Sequence, residues 1–145
     1  MPLTVHTVYC DDIRFEQQGK VSIIGTFGGA VLLPAYPATL PKLCVVVSVM
    51  IPLDIQPKQV RTVVCLGDDE LKSHDVTDLS PPSRDFPEGI EGPPDVDFHW
   101  VNVDQYFVLS PLVIDRPKAL RVKVFADGEE YKGAALYFIG RKEAP

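Results

Sequence analysis

Helical periodicity is scarce in this chain. No window of about ten residues or more places apolar side chains at sustained spacings of three and four. A doubly wound parallel sheet needs strands alternating with helices of roughly 10–15 residues, so that class is excluded. Long apolar runs are also missing. The two longest, Leu43 to Leu53 and Tyr106 to Ile114, are interrupted by Ser48, Pro52, Ser110 and Pro111. Neither approaches the roughly 18 residues that a spanning helix requires, so no membrane association is expected. The start, MPLTVHTVYCDDIRFE, has neither a basic segment followed by an apolar stretch nor an Arg- and Ser-rich leader. The expected compartment is the cytoplasm.

Residues that carry chemistry are few. The three cysteines, Cys10, Cys44 and Cys65, are odd in number, and each lies in an apolar or strand-like run. That is no disulfide framework, and three free, buried thiols are expected. The three histidines, His6, His74 and His99, have no second His or Cys at a metal-ligand spacing of about two to five residues. There is no GxSxG, and Ser22, Ser48 and Ser110 fall inside strand patterns. The glycines of FGGAV are not followed by a helix or by a Lys-Ser or Lys-Thr pair, so no phosphate cradle is formed. No catalytic residue and no cofactor are assigned, and the chain is expected not to be an enzyme. Clustered Lys and Arg are absent too, which disfavours nucleic acid as a partner.

What is present is a β pattern. The chain has 145 residues, 46% of them apolar and 23% charged, which suits one globular domain spanning residues 1–145. In Leu120 to Val124, apolar Leu120, Val122 and Val124 alternate with Arg121 and Lys123. Period two puts the apolar set on one face of a strand. Val60, Val64 and Leu66 oppose Arg61 in the same way; Leu3, Val5 and Tyr9 alternate with Thr4 and His6. Leu43 to Ile51 is nearly all apolar and rich in valine, as a central strand is. Tyr106 to Ile114 and Tyr131 to Ile139 each suggest one strand. Asp127-Gly128 and Gln18-Gly19 suit tight hairpin turns, which need positive φ. Arg116-Pro117 suggests another turn. Two short stretches, Asp11 to Gln18 and Asp69 to Leu79, also admit a helical turn, and a hairpin accounts equally well for the first. Together these patterns predict an all-β fold of eight or nine strands with little helix. The architecture expected is an antiparallel two-sheet β-sandwich of immunoglobulin-like or related topology, with a small open barrel as the alternative. Leu33 to Leu43, with three prolines, is expected to cross it as an extended connection.

Charge is concentrated in one place. Ser73 to Asp97 holds seven acids, one strong base and five prolines, and so carries the entire formal charge of −6. A loop of this length in a compact domain is commonly functional or mobile. It is expected to offer an acidic surface to a protein partner. Further acids, Asp11, Asp12, Asp68, Asp69 and Asp127, fall at expected strand ends. Carboxylates converging from loops at one end of a sandwich bind calcium, which makes these the metal candidates. Turn formation accounts for the same residues without a metal. The last strand, with GAALYFI and no charge until Arg141, is expected to be central or covered; at an edge, its cover would be a second copy.

The strings YCDDIRFEQQGKVSIIGTFGGAVLLP, LPKL, FVLSPLVI and VKVFADGEEYKG are similar to those of a family of short, uncharacterised bacterial proteins. The matching positions are Asp11 to Arg14, Gly19-Lys20, Ile24-Gly25, Leu40 to Leu43 and Ser110-Pro111. The resemblance implies a bacterial cytoplasmic β-domain and no known activity.

Overall fold

A computed structural model describes residues 2–77, 79, 88–94 and 100–142. Within them the chain forms β1 (Thr4–Phe15), a 3-10 turn (Gln17–Gly19), β2 (Val21–Thr26), β3 (Ala30–Leu32), β4 (Ala38–Leu40), β5 (Leu43–Pro52) and β6 (Val60–Leu66). There follow β7 (Asp69–Val76), β8 (Trp100–Leu109), β9 (Leu112–Ile114), β10 (Lys118–Ala126), β11 (Glu129–Lys132) and β12 (Leu136–Ile139). The first sheet has the order β2-β1-β5-β8. The second has the order β3-β12-β10-β6-β7, with β11 also paired to β10. Strands β4 and β9 make a separate two-stranded ribbon.

The core follows from the period-two pattern. From β5, Leu43, Val45, Val47 and Val49 are wholly excluded from solvent; so are Val60 and Val64 of β6 and Leu120, Val122 and Val124 of β10. These belong to one apolar cluster shared by both sheets, which makes the pair a sandwich. Each such side chain contributes about 1.5–3 kcal/mol by leaving water. Tyr9 bridges the layers: its hydroxyl donates to the Ala134 carbonyl at 2.6 Å, with that of Leu120 3.2 Å away. Burial pushes its phenol up to about 12.

Several expectations change. Asp11 to Gln18 is strand followed by the 3-10 turn, so the hairpin reading holds; Gln18 and Gly19 take the positive φ of that turn. Asp69 to Leu79 is not helical over the residues of β7, which supplies β6 with a hydrogen-bonded neighbour. Tyr106 to Ile114 divides at Ser110-Pro111 into β8 and β9, because Pro has no N–H to continue a ladder. Leu33 to Leu43 is not wholly a free crossing, since β4 within it pairs with β9.

Tyr131 to Ile139 divides where side-chain bulk is least. A Cβ on Gly133 would lie 2.6 Å from Thr7 Cγ2, so this close approach of β1 requires glycine. The last strand, β12, is not an edge: β10 flanks it on one side and β3 on the other. The β3–β12 pairing is parallel, an exception to the otherwise antiparallel sheets. The acidic segment is also shorter as a loop than expected, because Ser73 to Val76 belong to β7. Of its acids, Asp78, Asp85, Asp95 and Asp97 lie outside the described residues, whereas Glu88 and Glu91 are described and exposed.

One feature of the first sheet is not a flat ladder. β1 pairs with β5 only as far as Cys10–Cys44, then continues with β2 alone. At the departure point Asp11 stands over Gly25, whose φ is 67° and whose missing Cβ leaves room for that carboxylate. The hairpin arm then swings over the outer face, because Phe15 meets Tyr106 of β8 edge-on at 5.2 Å, across the width of β5.

Candidate functional site: a groove on the second sheet

The outward face of a two-layer sandwich ordinarily carries polar residues. On β6 it does not: Val63 and Cys65 point away from the core, yet are only 5% and 7% exposed. They floor a groove of about 540 Å³, together with Phe125 of β10. Around this floor stand Arg61, Glu70, Lys123, Asp68 and Asp127. The walls are positioned by two hairpins. Gly67, at φ 59°, turns β6 into β7 and brings up Asp68, and a register shift at Val64/Cys65 interrupts the regular ladder there. Asp127 and Gly128, at φ 48° and 87°, turn β10 into β11.

The charges on the rim largely answer one another. Arg61 Nη2 lies 3.0 Å from Glu70 Oε1, and its Nε lies 3.9 Å from Asp75 Oδ1. Lys123 Nζ is 3.8 Å from Glu130 Oε1. The Asp127 carboxylate accepts backbone N–H bonds from Lys58 at 3.0 and 3.1 Å and from Gln59 at 3.1 Å, so it locks the loop before β6 onto the turn. Burial pushes the Cys65 thiol up, against the opposing pull of Lys123, which keeps it protonated and a poor nucleophile. An apolar floor with alternating charges around it suits a group with an apolar body and polar or charged edges.

The five candidate aspartates do not form one centre. Asp11 and Asp12 lie on β1, Asp11 against Gly25 and Asp12 paired with Lys42. That ammonium, with the Ile13 N–H, holds the Asp12 carboxyl below its ordinary range. Asp68 and Asp127 share the groove, and Asp69 begins β7. Among the described residues no three His, Cys, Asp or Glu side chains stand close enough to hold a metal ion. Arg61, Val63, Cys65, Glu70, Lys123 and Phe125 are among the groove residues that sequence reasoning did not assign. A signal was there: Val63 and Cys65 are apolar yet share the period-two face of Arg61, which leaves them facing outward in need of cover.

The chain belongs to the DUF6941 family, a family of unknown function, whose family model matches residues 6–139. No curated protein and no solved structure matches it. The family fits the earlier resemblance to uncharacterised proteins and brings no activity with it. No helix among the described residues is long and apolar enough to cross a membrane.

Proposed function

We propose that this protein is a non-catalytic interaction module and that the groove on the second sheet is its binding surface. The observation that carries this is the apolar floor of Val63 and Cys65 on the outward face of β6, ringed by Arg61, Lys123, Glu70 and Asp68. An apolar patch with a polar rim is the anatomy of a site that receives an anchor side chain from a partner. The partner class that fits is an extended peptide segment presenting one apolar side chain between charged neighbours. A small amphiphilic ligand is the second reading, favoured by a volume within the roughly 300–1,000 Å³ of ordinary ligand pockets.

A displayed peptide library, selected on the immobilised protein and re-tested on Phe125→Asp and Lys123→Glu, tests the proposal. Selected peptides should lose at least tenfold in affinity on both variants and shift the backbone amides of β6, β7 and β10. Peptides that bind wild type and both variants alike would place the binding surface elsewhere.

A further inference from the structure

A second cavity, of about 290 Å³, adjoins the groove on the outer face of the second sheet. The two share Asp68 and Lys123 in their linings. The sheet opens here because of how β10 is paired. On the side away from β6, β10 meets β12 at Lys118 to Leu120 and β11 from Lys123 onward, so neither strand is in register with Arg121 and Val122. Gly133, at the break, donates its N–H to the Val122 carbonyl and has no side chain to fill the gap. The cations around this cavity are Arg121 and Lys123 of β10, two residues apart and therefore on one face, and Lys132 of β11. Lys123 stands directly opposite Lys132 in the β10–β11 register. Like charges directly opposite one another destabilise a sheet. Few described groups relieve them. Lys123 Nζ reaches Glu130 only at 3.8 Å, and Arg121 lies 5.8 Å from the centroid of the Tyr137 ring. Among the described residues no carboxylate stands within ion-pair distance of Arg121 or Lys132. Asp68 is the single acid in the lining, against three bases.

The groove beside it has an apolar floor, so the two cavities together present an apolar seat next to a cationic one. We infer that the groove's partner is an extended peptide that sets an apolar side chain on Val63 and Cys65 and an Asp or Glu, two residues away, among Arg121, Lys123 and Lys132; the inference rests on the groove being the binding surface. The spacing follows from the sheet. Val63 lies directly across from Lys123, and Lys123 across from Lys132, so the three form one row across β6, β10 and β11. Adjacent strands are about 4.8 Å apart, so a point midway between the two lysines is about 7 Å from Val63 along that row. An extended chain advances about 3.3–3.4 Å per residue and turns alternate side chains to the same side, so residues two apart land about 7 Å from each other on one face. A peptide crossing the strands along the row therefore lowers both side chains onto the sheet, the apolar one at β6 and the carboxylate between β10 and β11. There the carboxylate sits between two ammonium groups that otherwise repel, and Arg121, two residues along β10, adds a planar fork of donors. The far side of the floor makes no such demand, because Arg61 there is answered by Glu70 and Asp75. Charge complementarity thus singles out an acid, and not a base, on the β10–β11 side of the anchor.

A displayed library of linear peptides, selected in parallel on the wild-type chain and on the double variant Arg121→Glu/Lys132→Glu, tests the inference. Wild-type selections should be enriched in Asp or Glu two positions from the apolar anchor, and the double variant should shift that position to Lys or Arg. Replacing the acid of a selected peptide by its amide, Asp by Asn or Glu by Gln, should weaken binding to the wild type at least fivefold. That readout needs no variant of the protein and stands even if the double variant fails to fold. Peptides that lose affinity on Phe125→Asp yet tolerate the amide replacement would overturn the inference and leave the groove standing as the binding surface. So would a folded double variant that still selects the wild-type acid. A library in which no binder depends on Phe125 would overturn the inference and the groove reading together.

Discussion

Tyr9 shows how one residue carries more of the fold than its size implies. Its ring is 5% exposed, and its hydroxyl ties β1 to the break between β11 and β12. Burial is the main cause of its raised pKa, and the neutral phenol is the form the fold prefers. A folded value of about 12 against 10.0 for the unfolded chain means that the contribution is whole below pH 10 and is lost as pH rises through 12. That rise corresponds to about 3 kcal/mol. Tyr9→Phe should be less stable at neutral pH by about 1–2 kcal/mol, the cost of a lost buried hydrogen bond. The gap between it and wild type should close between pH 10 and 12 in denaturant titrations. A gap independent of pH would mean that the phenol stays solvated. The thiols belong to the same scale. Cys10 and Cys44 are fully buried, and burial, the largest cause, pushes Cys10 up to about 11. Native protein should react with a thiol reagent many times more slowly than unfolded protein, and three fast equivalents would contradict the packing.

Among the elements, the hairpins were the most legible. Asp127-Gly128 lies between two alternating runs, and left-handed backbone at that pair dictates a tight turn whatever surrounds it. The carboxylate of Asp127 then does something its position alone did not announce, accepting N–H bonds from the loop before β6. Asp127→Ala should lower stability by about 1–2 kcal/mol, read as a fall in the denaturant midpoint at constant slope. An unchanged midpoint would show that water satisfies the loop equally well. The strands that sequence reasoning ran together, Tyr106 to Ile114 and Tyr131 to Ile139, break for different reasons. The first breaks at a missing N–H, the second at the close approach of Thr7 to Gly133. The first was visible in Pro111; the second needed the neighbour from β1. The same holds for the last strand. Its lack of charge correctly excluded a bare edge, but its cover is β3 of the same chain, so it no longer argues for a second copy.

At the scale of the whole molecule, local pattern and global assembly answer different questions. Alternation in Leu120 to Val124 determined which side chains face inward, because a strand's period is two wherever the strand lies. The valine-rich run of β5 determined that it would be central, and the turn residues determined where hairpins close. The three thiols were legible as buried from the apolar runs that hold them. Strand order was not determined in this way. Nothing local to β3 and β12 makes them parallel neighbours, since more than a hundred residues separate them. The groove is likewise a product of packing. Val63 and Cys65 become a floor only when β7 and β10 flank β6. Burial, unmet hydrogen bonds and open edges are properties of neighbours distant in the chain, and only the tertiary structure brings those neighbours together.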